Sequence, residues 1–406
     1  MKIITRNIWI ISLVSMFTDV ASEMLYPVMP IYLKSIGFSI VLIGVLEGFA
    51  EAIAGLSKGY FGKLSDNIGR RLPFVRWGYV LSAISKPMMA IFTFPLWIFS
   101  ARTIDRLGKG IRTGARDAML SDEATINTKG TVFGFHRSLD TFGAVIGPLS
   151  ALIFLYFYPG NYTTLFYFAF IPGMVAIGFT FFIKDKNHTP KESIIKTSFF
   201  DFIRYWKTSP LQYRKLVIGL LLFTLVNSSD VFLLLKLKEA GLSDMATIGT
   251  YIFYNLVYAA FAYPLGIIAD RLGLKNIFLV GLASFAIVYL GMAFNKNVYL
   301  FLALFFLYGI YAAATEGISK AWISNITDKK DTATAIGTFT GFQSICTMIA
   351  SSLAGFLWLK FGASATFITT VLITVVVIIY ISIIKFSPIN SPLLHVEPLE
   401  EVKKNI

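Results

Sequence analysis

Charged side chains sit inside otherwise apolar runs of this sequence, and their spacing sorts them into sets that could do chemistry. Asp19 and Glu23 stand one helical turn apart in the first run, and Glu47 and Glu51 do the same in the second. Lys86 precedes Pro87 in the third. The stretch RTIDRLGKGIRTGARD, Arg102 to Asp117, follows the apolar PLWIFSA. It places Arg102, Asp105, Arg106, Lys109, Arg112 and Arg116 on one arc of a helix, while Ile104, Leu107 and Ile111 point elsewhere. His136, Arg137 and Asp140 follow in a fifth run. An ionisable group at mid-bilayer depth costs ~2.5 to 3.5 kcal/mol on insertion scales, so such groups pair with one another or line a wet cavity. Asp19, Glu23, Glu47, Glu51, Asp105 and Asp140 balance Lys86, Arg102, Arg106, Lys109, Arg112 and Arg137, six of each sign, a network and not a bare cationic pocket. A carboxylate in that setting can take up and release a proton.

The elements that must hold these residues are helices in a bilayer. The chain of 406 residues is 56% hydrophobic and only 15% charged, with a mean hydropathy of +0.69, too little polar surface to cover a soluble globule of this size. Apolar runs of roughly 20 residues recur along it, and the alternating segments of about 10 residues expected of a barrel do not. The fold class is therefore an all-α membrane protein. The first run, from Ile8 to Leu33, has no small-residue cleavage site behind a compact apolar stretch and reads as a retained span. A single cysteine, Cys346, excludes an intramolecular disulfide, and His136, His188 and His395 are too scattered for a metal cluster. No Gly-Lys-Ser/Thr phosphate loop, catalytic triad or zinc signature is present, which argues against ATP as energy source, against an enzyme and against a cofactor.

The net charge of +13 is distributed by loop. Lys63, Arg70, Arg71 and Arg76 fall in one connection, Lys184 to Lys215 in another, then Arg271 with Lys275, then Lys329 with Lys330; the alternate connections FTFP and YPGN carry none. That is the positive-inside pattern, which places both termini in the cytoplasm and argues against a nucleic-acid partner.

Spans read near residues 8–34, 40–61, 73–94, 96–115, 131–157, 162–183, 213–236, 246–268, 275–294, 298–323, 334–359 and 364–385. They divide the chain into an amino-terminal bundle (1–184), a cytoplasmic linker (185–212), a carboxy-terminal bundle (213–387) and a cytoplasmic tail (388–406). The linker's Phe199, Phe200, Phe202, Tyr205 and Trp206 predict a short amphipathic segment on the inner face. The halves repeat. GKLSDNIGRR, Gly62 to Arg71, recurs as GIIADRLGLK, Gly266 to Lys275, and at the same offset IGFS (Ile36 to Ser39) matches AGLS (Ala240 to Ser243). A tandem duplication of a six-helix bundle accounts for both matches.

With Gly62, Leu64, Asp66, Gly69, Arg70 and Arg71, the first copy resembles the signature of the major facilitator superfamily. The resemblance implies the major facilitator fold, about twelve transmembrane helices in two six-helix bundles that alternate access to a central cavity. It also implies a conformational latch at Gly62, Asp66, Gly69, Arg70 and Arg71, answered in the second copy by Asp270 and Arg271. GAVIGPLSA, Gly143 to Ala151, looks like the Gly-Pro motif of the antiporter branch, with Ala151 where a glycine is usual. DRLGKGIRTGARDAML and GFHRSLDTFGAVIGP are similar to a subgroup of bacterial facilitators that includes magnetosome-type permeases.

These readings converge on a secondary active, proton-coupled transporter of a small anionic organic solute, monomeric and embedded in a bacterial inner membrane. Asp19 and Glu23 are expected to exchange the proton. Arg106 and Arg137 are expected to alternate between Asp105 or Asp140 and the solute, with Lys86, Asp230, Asn227, Tyr254 and Tyr311 completing the site. Arg116 and Asp117 read as inner-interface anchors, and Glu47 and Glu51 as pairing candidates for Lys86. Two rival cargoes remain. Asp19, Glu23, Glu51 and His136 offer oxygen and imidazole ligands to iron, another divalent metal or a ferric chelate, and the aromatic cavity with GAVIGP suits multidrug efflux.

Overall fold

The computed structural model describes residues 3–26, 28–186, 201–295 and 297–384. The stretch 187–200 of the expected linker, with His188, Phe199 and Phe200, and the expected tail 388–406, with His395, lie outside the described residues. Among the described residues there is helix and no strand. The amino-terminal half contains α1 (Arg6–Glu23), α2 (Met29–Ser35), α3 (Ile40–Ile68), α4 (Leu72–Ile91), α5 (Pro95–Glu123), α6 (Lys129–Phe157) and α7 (Tyr162–Thr180). After α8 (Asp201–Thr208) come α9 (Leu211–Thr224), α10 (Val231–Glu239), α11 (Asp244–Leu272), α12 (Leu274–Phe294), α13 (Val298–Asn325) and α14 (Thr332–Ile383).

Local chemistry sets the boundaries. Thr5, Ser39 and Ser243 accept hydrogen bonds from the Ile8, Leu42 and Ala246 amides and so cap α1, α3 and α11. Gly362, at φ 83°, interrupts α14 and returns the chain, so its two limbs correspond to the expected spans 334–359 and 364–385. Two expected single spans are broken: 8–34 becomes α1 and α2, and 213–236 becomes α9 and α10. These are equivalent positions in the two halves, so the duplication extends to an interruption of each half's first span. Among the described residues six helices are apolar enough by length and composition to cross a membrane; of the five that carry the amino-terminal charges α6 is among them, and α1, α3, α4 and α5 are not.

The halves meet along two seams, α3 against α14 and α6 against α11. At Gly62 a Cβ would come within 2.5 Å of the Ala333 carbonyl oxygen, and at Gly134 one would come as close to that of Ala262. Absence of a side chain there lets the helices touch backbone to backbone. Toward the other end the seams part: Gly48 on α3 and Gly249 on α11 meet nothing within 4 Å. The molecule is therefore closed at the end carrying the repeated motif and open at the opposite end. Rings of α8 pack on the closed end, Tyr205 on Tyr213 (5.3 Å between centroids) and Trp206 on Phe342 (6.3 Å).

Candidate functional site

Between the halves lies a cavity of about 340 Å³. Each contributing helix brings polar groups on a face otherwise committed to packing. From the amino-terminal half come Asp19 and Glu23 of α1, Lys58 of α3, Lys109, Arg112 and Arg116 of α5, and Arg137 and Asp140 of α6. From the other half come Asp230 in the break before α10, Tyr251, Tyr254, Asn255 and Tyr258 of α11, Glu316 and Lys320 of α13, and Thr340 and Gln343 of α14.

Some of these charges neutralise one another. Arg137 bonds Asp140 (2.8 Å) on its own helix and reaches across to Glu316 (3.3 Å) and the Tyr258 hydroxyl. Lys320 pairs at 2.8 Å with Asp117, which also pairs with Arg116 at 2.9 Å. Ser15 joins these groups, donating to Asp140 at 2.5 Å and accepting from Arg116 at 3.0 Å. The two cross-half pairs stand one turn apart on α13 and form the cavity floor.

Other charges remain available. Lys58 donates to the Ser344 hydroxyl at 3.2 Å, and Arg112 donates to Ser82 at 2.6 Å with its guanidinium over the Tyr79 ring. Neither they nor Lys109 has a carboxylate within 4 Å among the described residues. Asp19, Glu23 and Asp230 likewise have no lysine or arginine at that distance, and Asp230 accepts from the Tyr308 hydroxyl at 2.6 Å.

Several expected ligands lie elsewhere. Lys86 bonds Asp105 at 2.7 Å, and Arg102 bridges Asp105 (3.3 Å) and Glu47 (2.8 Å). Arg106 lies 3.9 Å from Glu47 and 3.7 Å from Glu51. Lys86, Asp105 and Arg106 thus satisfy α3, α4 and α5 among themselves and are not lining residues, and Lys86 takes Asp105 in place of Glu47 or Glu51. Asn227 and Tyr311 bond each other at 2.9 Å beside a small separate void. The anchor reading of Arg116 and Asp117 is also corrected. α5 runs to Glu123, two turns beyond the expected end of the span at residue 115, which draws both residues into the buried interior. No group of three or more His, Cys, Asp or Glu among the described residues is arranged to hold a metal, so Asp19, Glu23, Glu51 and His136 do not form one; buried His136 contacts Ser12 at 3.4 Å.

Sequence reasoning missed Lys58 as a lining residue. Its signal was its place between Gly55 and Gly62 at helical spacing, a lysine on a face made small for close packing.

The repeated motif forms two reciprocal caps. The Thr334 amide and hydroxyl donate to Asp66 at 2.7 and 2.8 Å, at the start of α14. In the other copy the Gly130 and Thr131 amides donate to Asp270 at 2.8 and 2.6 Å, at the start of α6. Each carboxylate closes the amino-terminal end of a helix in the opposite half, where unpaired amides and the helix dipole favour negative charge. Buried Arg71 ties Asp66 (3.2 Å), Asp122 and the Lys329 carbonyl (3.0 Å) together, Gly69 turns the chain at φ 73°, and Arg70 and Arg271 are exposed.

The chain is similar to known proteins. The sequence profile of the Major Facilitator Superfamily matches residues 11–255 and 241–404. An uncharacterised MFS-type transporter of Methanocaldococcus jannaschii is 31% identical over 371 residues, covering 90% of this chain and 91% of that one. The multi-drug resistance efflux pump PmrA homolog of Lactococcus lactis is 23% identical over 374 residues, covering 87% and 89%. The crystal structure of the human organic anion transporter TETRAN superposes with a TM-score of 0.74 at 14% identity, covering 93% of this chain and 99% of that one, a likeness of fold.

Proposed function

The chain belongs to the Major Facilitator Superfamily, and from that premise we propose that this multi-pass membrane transporter carries a small organic anion by alternating access, driven by protons held at Asp19 and Glu23. The observation that carries the reading is the set Lys58, Lys109 and Arg112, three cavity cations without a carboxylate within 4 Å, whereas Arg116, Arg137 and Lys320 are already neutralised. An anion entering the open end meets cations whose bonded neighbours are neutral hydroxyls, Ser344 at Lys58 and Ser82 at Arg112, and no carboxylate that it must displace.

Electrostatics gives the coupling a sign. Around Glu23 stand Asp19 on its own helix, Tyr26 after it, Lys86 on α4, Arg106 and Lys109 on α5, Asp140 on α6 and Tyr251 on α11. Lys109 faces the same cavity as Asp19 and Glu23. A proton on either carboxyl removes a negative charge that competes for Lys109 and so strengthens anion binding there. Proton and anion then bind with positive coupling, the thermodynamic condition for cotransport. The Asp66 and Asp270 caps would hold the motif end shut during loading, and opening it requires the Arg137 to Glu316 and Lys320 to Asp117 bridges to part. The basic loops support a plasma-membrane location with both termini cytoplasmic, and one chain supplies the whole cavity, as suits a monomer.

The test is reconstitution in liposomes with an imposed pH gradient. Glu23→Gln is expected to abolish gradient-driven accumulation of a carboxylate while leaving exchange of bound solute; normal accumulation by that variant would end the assignment. A second reading, export of organic cations, is supported by Asp230 among tyrosines and by the name of the Lactococcus lactis relative.

A further inference from the structure

The cavity has two poles. The basic one is built on α3 and α5, where Lys58, Lys109 and Arg112 stand free of carboxylates. The other lies across the interface, at the break between α9 and α10. Asp230 immediately precedes α10 but makes no capping hydrogen bond to it. Its carboxylate accepts only from the Tyr308 hydroxyl at 2.6 Å, and no lysine or arginine lies within 4 Å among the described residues. Tyrosines lie close by: Tyr308 bonds the carboxylate, its ring centroid is 4.9 Å from that of Tyr254, which is 6.0 Å from that of Tyr251, and both Tyr251 and Tyr254 face the cavity. A carboxylate without a basic partner attracts an ammonium through its charge, and neighbouring tyrosine rings add their quadrupoles. Interrupted helices are where transporters of this build open their backbone to a ligand.

We propose that the solute is a zwitterion, its anionic group held by Lys109 with Lys58 and Arg112 and its ammonium held by Asp230 against Tyr254. This rests on the anion-binding reading above and adds the second pole. The electrostatic argument is one of leftovers. A lone anion satisfies the lysines but leaves Asp230 uncompensated in a site that closes around it, and a lone organic cation does the reverse. One bipolar occupant brings a counter-charge to each pole, and the cavity of about 340 Å³ lies at the small end of ligand pockets. Asp19 and Glu23 line the same cavity and are left for the proton.

The experiment measures binding to the purified full-length protein in lipid nanodiscs, by calorimetry, with two matched sets of probes. One set is phenylalanine, 3-phenylpropionate and phenethylamine; the other is γ-aminobutyrate, butyrate and butylamine. In at least one set the zwitterion is expected to bind at least about tenfold more tightly than either of its one-charge relatives. Asp230→Asn should cost the zwitterion about tenfold or more and the plain carboxylate less than about twofold. Tyr254→Leu should act in the same direction, which keeps the test alive if the first variant does not fold. Carboxylates that bind as well as their zwitterions, absence of binding by both zwitterions, or equal losses for carboxylate and zwitterion in these variants would overturn the proposal. Lys109→Gln separates the two readings. If it weakens carboxylate and zwitterion while Asp230→Asn changes neither, the anion site stands and the second pole falls. If it changes neither and the amines bind best, the anion site falls and takes the zwitterion with it.

Discussion

One face of α5 carries two groups of charges with opposite fates. Near its start, Arg102, Asp105 and Arg106 are met by Glu47 and Glu51 from α3 and by Lys86 from α4, all within the amino-terminal half. Two turns further on, Lys109 and Arg112 face the space between the halves with no carboxylate within 4 Å. Only Arg116 in that stretch has a carboxylate partner, Asp117, which it shares with Lys320. The first cluster holds three helices together, and the second has no carboxylate partner of its own. What separates them is what the neighbouring helices offer: Glu47 and Glu51 of α3 meet Arg102 and Arg106, whereas α4 offers Arg112 the Ser82 hydroxyl and the Tyr79 ring.

The largest effect should come from breaking the first cluster. Lys86→Met leaves buried Asp105 short of a partner and is expected to destabilise the protein by ~3 to 5 kcal/mol, whereas Lys86→Met combined with Asp105→Leu should recover most of that loss. Thermal unfolding of the two variants in one detergent reads the difference, and a single variant that melts with the wild type would remove the structural role. Next in size, Lys109→Gln should leave the unfolding curve in place but weaken carboxylate binding by about tenfold or more. A shift in stability without a shift in affinity would place Lys109 with the first cluster.

Smaller again is the effect of Glu316→Gln. Arg137 keeps Asp140 and Tyr258, so a loss of about 1 kcal/mol is expected. The loosened floor should show as faster labelling of a cysteine introduced at Ser344, with Cys346 replaced by serine; unchanged labelling would mean the bridge does not close the cavity. The smallest effect is expected from Arg70→Gln, within about 0.5 kcal/mol, because Arg70 is exposed while its neighbour Arg71 carries the buried contacts.

Much of the architecture was legible. Apolar runs of spanning length gave the helices, and the offset between GKLSDNIGRR and GIIADRLGLK gave the duplication that the two broken first spans and the reciprocal caps of Asp66 and Asp270 repeat. Half of the site was legible too. Asp19, Glu23, Arg137, Asp140, Asp230 and Tyr254 stand out as charges or ring systems at helical spacing, and the structure brings them to one cavity. Lys86, Asp105 and Arg106 stand out equally and lie elsewhere, while Lys58 was read only as part of its span.

The sequence by itself determined that the chain is helical, which arcs are polar and where the two halves correspond, because a bilayer forces backbone amides into helices and makes each charge conspicuous. Tertiary structure alone decided which of those charges were consumed. That depends on the rotation and approach of helices distant in sequence, set at contacts such as Gly62 on Ala333, and an ion pair forms only within a few ångströms of a partner that the chain's order does not name.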